Sequence, residues 1–495
     1  MDALMALIVV GPAAAAAAAL GFRAVAVVRD ATVIGALTAV TALSVALAVH
    51  VEREGTVVLE VGGWAPQLGI VLVADLFAVL VLAVATTTIL VVEVFALGQR
   101  RGPWAGDATL VGPVLLLLTT GVSLALLTGD LFTLFVSFEL ILVASYVLLT
   151  HGGGAGQIRA GMTYVVINLA ASTLFLLGIA WVYAATGTVD LALLSARIPE
   201  LDDGVRAAIG AWFLVVFGTK AAVFPLFSWL PDSYPTAPTT ITAVFAGLLT
   251  KIGVATMIRF HTMTGMDDLG PLLLAVAGAT MVVGVLGALA QDDMKRILSF
   301  HIVSQIGYMV MGLGLFTVAG VAGAVLFLLH QIPIKTVLFL VGGLVERESG
   351  TSALDRVGGL GARRPMLAVL FALPALSLAG LPPLSGFVAK LALVDAGVAS
   401  RSSLIVAVAL GGSLLTLLSM VKIWLGVFWG PTAGGEGTAT LAAPAGSARL
   451  MYGAAWVAVV GTLAVAAFAG PLWELSERAA EELLDPGRYR AEVLR

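Results

Sequence analysis

Cysteine is absent from this 495-residue chain, which excludes disulfide scaffolds, thiolate metal sites, iron-sulfur ligation and covalent haem attachment. Charge is nearly as scarce. Only 11% of the residues are Asp, Glu, Lys or Arg, less than half of the roughly 25% carried by a soluble domain. The 26 basic and 30 acidic side chains almost cancel, leaving a net charge of -4, too balanced for a nucleic-acid partner, and 60% apolar residues exclude a disordered chain. Also missing are a GxxxxGK[ST] loop, an HExxH pair and a glycine fingerprint in a strand-turn-helix setting. ATP and nicotinamide therefore have no recognisable site, and no cofactor is expected.

What the chain has instead is a succession of long apolar runs. Windows of about 19 residues place spans near 2–21, 31–50, 70–97, 109–128, 131–150, 159–186, 206–230, 237–262, 270–290, 296–317, 320–345, 365–397, 402–429 and 449–472. The expected fold is an all-α polytopic membrane protein of about fourteen transmembrane helices with the lipid bilayer as its solvent. Asp2 is the only charge before the first run, so that run reads as a retained helix rather than a cleaved signal. The run 109–150 is interrupted only by Gly129 and Asp130; at two membrane thicknesses it reads as a helical hairpin.

Arginine decides topology. Loops after odd-numbered spans hold Arg23, Arg29, Arg100, Arg101, Arg159, Lys295, Arg296, Arg347, Arg356, Arg363, Arg364 and Arg449, whereas the opposite loops hold Arg53, Arg197, Arg206 and Arg401, with Arg259 on a boundary. The positive-inside rule then puts both termini outside. Lysine is distributed differently: Lys220, Lys251, Lys335, Lys390 and Lys422 lie inside apolar segments and only Lys295 lies in a loop. Burial can make a lysine release its proton, while arginine keeps its own. Arginine at the rim and lysine inside is a pattern suited to moving protons. Lys422, near a helix end beside Trp424 and Trp429, reads as snorkelling to an interface.

Glu139 lies about 12 Å beyond the Gly129-Asp130 turn, deep in hydrocarbon, where a carboxylate must be neutral, solvated or paired. Lys220 precedes Pro225 and Pro231 in KAAVFPLFSWLP, and Pro382 and Pro383 precede Lys390 in SLAGLPPLSGFVAK. Proline breaks free backbone carbonyls, which a membrane tolerates where they are packed in protein or line a cavity. Paired breaks in separate halves suggest inverted repeats: helices 1–3 in residues 1–108, a first five-helix repeat in 109–263, a second in 264–430, and a last helix with a charged tail in 431–495. Between the breaks stand His330 and Lys335 in HQIPIKTVLFL; five residues apart, they share a face only if Pro333 realigns the helix. His301, with Gln305 one turn on, is a further candidate, and Asp75 reads as a cap or boundary residue. No compact acidic cluster marks a cation cage.

Four segments taken together, LFTLFVSFELILVASYVLL, KAAVFPLFSWLPDSYPTAPTTITAVFAGLLTKIGV, KRILSFHIVSQIGYMVMGLG and SLAGLPPLSGFVAKL, resemble the antiporter-like subunits shared by Mrp-type cation/proton antiporters and respiratory complex I. The resemblance covers roughly residues 70–430. FAGLLTK around Lys251 and SFHIVSQIGYM around His301 look most like the D-type Mrp subunits. The resemblance implies fourteen helices with two inverted five-helix repeats, and a proton relay made of a Glu139-Lys220 pair, Lys251, a central His330-Lys335 group and a terminal Lys390. It also implies exchange of H+ for Na+ in the cell membrane, in a complex with other membrane subunits. Gln331 and Val337 stand where that family leads one to expect an acid and an asparagine. Two other functions fit the same charges: a proton-pumping membrane subunit of a complex I-like NADH:quinone oxidoreductase, and a structural scaffold whose buried ion pairs fix helix packing.

Overall fold

The structure, a computed structural model, describes residues 1–65, 69–100, 109–430 and 445–494. Arg101 and the segment edges at 108 and 431 lie outside the described residues. The chain begins with α1 (Asp2–Gly21) and α2 (Ala26–Glu54), then a short antiparallel ribbon of β1 (Val57–Glu60) and β2 (Val71–Ala74), then α3 (Leu76–Arg100). The hairpin of α4 (Val111–Leu127) and α5 (Leu131–Thr150) follows, then α6 (Ala155–Thr186), the short α7 (Leu191–Arg197), α8 (Asp203–Ala221) and α9 (Trp229–Ser233). One crossing is built from α10 (Thr239–Val244), a wider π turn (Phe245–Leu249) and α11 (Thr250–Met263). Beyond it come α12 (Gly270–Leu289), α13 (Met294–Gly314), α14 (Val318–Ser349), the single turn α15 (Leu360–Arg363), α16 (Pro365–Ala379), α17 (Ser385–Ala399) and α18 (Ser403–Trp424). Three helices close the chain: α19 (Ala445–Ala467), α20 (Ala469–Leu484) and α21 (Pro486–Val493).

Among the described residues, twelve helices are long and apolar enough to cross a membrane. The two other expected spans fall on α4, of 17 residues, and on the broken pair α16 and α17, of 15 residues each. The Gly129-Asp130 break does make a hairpin. Asp130 caps α5 by accepting the Thr133 N–H at 2.6 Å, satisfying one of the donors that a helix start leaves open. Within the expected divisions, 109–263 holds the five crossings α4, α5, α6, α8 and α10–α11, and 264–430 holds α12, α13, α14, α16–α17 and α18. The fourth crossing of each set is the interrupted one, at residues 222–228 after α8 and at 380–384 after α16.

Two features depart from expectation, and a third was not anticipated. Residues 71–74 of the expected span 70–97 are a strand, because β2 pairs with β1 from Val57↔Ala74 to Glu60↔Val71. The ribbon is the exception to an otherwise helical fold. Pro333 does not break its helix: α14 runs unbroken from Val318 to Ser349, surrounded by neighbours on nearly every side. His330 and Lys335 therefore keep their angular separation and face different partners. Finally, the charged tail is ordered structure. α20 lies against α14 and α3 through Ser476, Ala479, Ala480 and Leu483, and α21 packs on α7.

The centre of the bundle is α14 with α11 and α13. The α14 crossing is 94% buried, against 28% for α2 at the rim. Lys422 is held at the rim as expected, donating to the carbonyls of Leu289 (3.0 Å) and Gln291 (2.7 Å) and pairing with Asp292 (2.8 Å) at the C-terminal end of α12. On the face opposite the basic loops, Asp75 does cap α3, accepting from Ala78 N–H at 2.8 Å. It also receives both guanidinium nitrogens of Arg259 on α11, at 2.6 and 2.8 Å, in a buried bidentate pair. Removing one member of such a pair leaves a buried charge uncompensated. Asp75→Ala is expected to destabilise the protein by about 3–5 kcal/mol, a loss read as a lowered thermal midpoint in detergent.

Candidate functional site

Lys220, Lys251 and Lys390 are held by neutral oxygen rather than by carboxylate. Lys390, one turn into α17, reaches back across the break and donates to the carbonyls of Leu378 (3.0 Å) and Ala379 (3.2 Å), the open end of α16. Its ammonium also lies 4.9 Å from the centre of the Tyr308 ring. The negative end of a helix and two carbonyls that lack an N–H partner form a natural seat for a cation. Lys251 has a comparable seat. The π turn at 245–249 pulls a carbonyl out of register, and Lys251 Nζ donates to that of Ala246. π turns of this kind concentrate at functional positions. Lys251 stands at the midpoint of its crossing, 239–263, and Lys335 stands near the middle of α14.

Lys220, at the C-terminal end of α8, donates to Ser172 Oγ (3.1 Å) and the Asn168 carbonyl (3.3 Å), both on α6, with its ammonium 5.6 Å from the Phe138 ring centre. Glu139 is within its electrostatic reach, yet the two make no ion-pair contact. Glu139, near the middle of α5, is half-buried, and its Oε1 is buried without a hydrogen-bond partner among the described residues. The helices that carry Lys220 and Lys251 meet at Gly253. A Cβ there would stand 2.7 Å from the Ala221 backbone nitrogen and 2.9 Å from the Lys220 carbonyl carbon, so only glycine lets α11 touch α8 at this point.

From Lys251 onward the candidates form one group. Lys335 lies within electrostatic reach of Lys251 and Lys390, and both His301 and His330 lie within reach of Lys335 and Lys390. Lys335 Nζ is buried and meets no hydrogen-bond partner among the described residues. His301 Nε2 hydrogen-bonds Ser419 Oγ at 2.7 Å, and His330 Nδ1 hydrogen-bonds Ser385 Oγ at 2.9 Å, leaving the other nitrogen of each ring open. Gln331, in the position where an acid was expected, turns its amide toward Gln305 Oε1 at 3.4 Å. The seven candidates thus fall into two groups: Glu139 with Lys220, and Lys251 through Lys335, His301 and His330 to Lys390. On the basic-loop face a cleft of about 330 Å³, lined by Gln99, Gln157, Lys295 and Glu346, ends where Thr239 nests on Gly343. Gly343 is two helical turns, about 12 Å, from Lys335.

Several participants were not singled out from sequence. Ser385 and Ser377 link His330 to the α16–α17 break, their hydroxyls 3.1 Å apart; serines within apolar helices carry no distinctive spacing. Glu93, wholly buried, pairs with Arg100 two turns along α3. That spacing was available as a signal. Gly386 is the tightest point of the break: a Cβ would lie 1.7 Å from the Ser377 carbonyl oxygen and 3.1 Å from His330 Nε2. Gly386→Ala must therefore push the backbone of α17 away from that of α16, costing about 3 kcal/mol, whereas Ser385→Ala, which removes the hydroxyl's hydrogen bonds to His330 and Ser377 and moves no backbone, costs about 1–2 kcal/mol. Thermal unfolding of the two variants should rank them in that order.

Residues 128–416 match the family described as NADH:quinone oxidoreductase/Mrp antiporter, transmembrane. The chain is 44% identical over 461 residues, 92% of its length and 91% of the relative's, to the D-type subunit of the Na+/H+ antiporter of Alkalihalophilus pseudofirmus. It is 36% identical over 455 residues, 90% of each chain, to the corresponding D-type subunit of the Na+/H+ antiporter of Bacillus subtilis. Its fold superposes on a chain in the structure of the Mrp complex from Dietzia sp. with a TM-score of 0.91 and 34% identity, covering 100% of both chains. A bundle with two broken crossings, lysines seated on the freed carbonyls and this degree of identity along nearly its whole length belongs to the family of D-type Na+/H+ antiporter subunits.

Proposed function

We propose that the chain is an ion-translocating subunit of a multisubunit antiporter in the cell membrane, exchanging H+ for Na+ beside other membrane subunits, with both termini on the outer side. It works as a transporter without chemical catalysis or a bound cofactor. Fourteen crossings are divided as three N-terminal helices (1–108), two inverted repeats (109–263 and 264–430) and a last helix with its tail (431–495). Its closeness to D-type antiporter subunits favours this function over a redox-linked proton pump.

The observation that carries the assignment is the company the lysines keep. A scaffold that buried charge only to fix helix packing would match each cation with an acid, because an unpaired buried charge costs several kcal/mol. Lys251, Lys335 and Lys390 have no carboxylate in contact among the described residues; carbonyls hold two of them and nothing holds the third. A neutral amine also donates to a carbonyl, so these seats suit a lysine that loses and regains its proton. In the proposed sequence a proton reaching Glu139 weakens its hold on Lys220, which passes a proton toward Lys251. Transfer then runs through Lys335 and the two histidines to Lys390, each step driven by the neighbour's charge.

Na+-dependent proton flux in vesicles holding the whole complex tests this. Glu139→Ala should abolish flux while the complex still assembles; wild-type flux from a well-assembled variant would remove Glu139 from the pathway. Lys220→Arg keeps the charge and gives up the releasable proton, and should fail nearly as completely as Lys220→Ala. Lys251 and Lys390 act in series, so Lys251→Ala, Lys390→Ala and the double variant should all lose flux to the same extent, the non-additivity of groups that act as one unit. Partial losses that add in the double variant would instead mean two independent channels.

A further inference from the structure

At the face opposite the basic loops the chain contains a second protonable cluster that the relay does not use. Gly129-Asp130 and Val189-Asp190 meet in a short antiparallel bridge: Leu131 N–H donates to the Val189 carbonyl at 3.0 Å, and Leu191 N–H to that of Gly129 at 2.8 Å. The bridge sets two buried aspartates side by side, each capping the helix it precedes. Asp130 Oδ1 takes the Thr133 N–H and Asp190 Oδ1 takes the Leu193 N–H at 2.9 Å. Asp190 is 2% exposed, and its second oxygen, Oδ2, meets no hydrogen-bond partner among the described residues. The C-terminal helix α21 lies over this spot. It brings in Tyr489, 5% exposed, whose hydroxyl lies beside the Arg259 guanidinium and within electrostatic reach of Asp190 and Asp75.

We propose that Asp190, with Asp130 beside it, is a proton-exchange site between the chain and the solution on this face, and that Tyr489 of the C-terminal helix is its cover. A bare carboxylate oxygen buried next to a second carboxylate is unstable as an anion, and a proton is the ligand that cures both defects. Burial pushes the Asp190 carboxyl up to about 6, with Asp130 adding to the shift, and burial raises Asp130 as well. The other charges around the site do not supply that proton's equivalent. Arg259 is committed to Asp75 through both nitrogens, and Arg197 on α7 donates to the Thr186 carbonyl at 2.6 Å. Arg488 on α21 pairs with Glu482 and Glu492, and His261 on α11 faces the carbonyls of Met257 and Gly210. Glu482 of α20 stands near Asp75 and adds negative charge. No three acidic or histidine side chains gather into a metal cage among the described residues, which favours a proton over a metal cation.

The site is placed to matter for transport. Asp130 begins the helix that carries Glu139, about 13 Å further on, and Arg259 lies about 12 Å along α11 from Lys251. It sits at the same end of both helices of the first repeat.

The inference rests on the exchange function proposed above, and the test separates the two. Na+-dependent flux is measured in vesicles holding the whole complex, oriented by protease access to the C-terminal tail, while pH is varied on the tail side alone. Absence of flux from wild type would overturn the exchange function itself. With wild type active, flux should change with tail-side pH around a midpoint near 6. Asp190→Asn keeps a helix cap and cannot titrate, so that midpoint should vanish; a midpoint unchanged in the variant overturns the proposal. Tyr489→Ala admits water to the site and should move the midpoint down by roughly one pH unit. If Asp190→Asn does not assemble, an unmoved midpoint in Tyr489→Ala overturns the proposal in its place.

Discussion

A helix carbonyl opened inside a membrane has no water to turn to, and the rest of this architecture follows from how the opened carbonyls are satisfied. The α16–α17 break exposes Leu378 and Ala379, and Lys390 closes both; the π turn exposes Ala246, and Lys251 closes it. Lys390 and Lys251 each satisfy the interruption of their own crossing, whereas Lys220 turns away from the break after α8 to Ser172 and Asn168 on α6. Because an amine still has N–H bonds to offer after losing a proton, the carbonyl stays satisfied in either state. A carboxylate partner would have tied the cation to its charge; a carbonyl does not.

Arginine is used in the opposite way. Arg259 with Asp75, Arg100 with Glu93 and Arg296 with Asp232 form pairs near helix ends, where permanent charges in fixed pairs hold geometry. The molecule therefore has two electrostatic tiers, with ion pairs toward the faces and basic groups on neutral oxygen in the middle. Glycine supports the inner tier by close approach. Gly253 lets the Lys220 backbone touch the Lys251 helix, and Gly386 lets α17 lie on Ser377 within reach of His330.

The inner tier was largely legible in the sequence, because a lysine or glutamate within an apolar run stands out without knowledge of its neighbours, and Pro225 and Pro382-Pro383 announced the breaks. What could not be read was anything set by distant packing. Asp75 was visible as a helix start, but its partner lies 184 residues away, and no local pattern links them. Nothing in the charged tail marked Tyr489 as buried, whereas α21 packs on α7. Pro333 suggested a break by its local chemistry, yet in the crowded surroundings of α14 the helix continues through it. The β1–β2 ribbon went unseen because Val71–Ala74 is as apolar as the helix that follows it. The π turn has no sequence mark of its own, since FAGLL reads as ordinary helix.

The depth at which Lys251 and Lys335 stand, each near the middle of its crossing, has an electrical consequence. A charge that travels parallel to the bilayer does no work against the membrane potential, which acts only along the normal at about 2.3 kcal/mol per charge per 100 mV. In the proposed relay, handing a proton along this row is then indifferent to voltage. The potential acts on the vertical legs, from the basic-face cleft inward and from the row to the opposite face. Those legs, rather than the long lateral chain, set how steeply transport responds to the energised membrane.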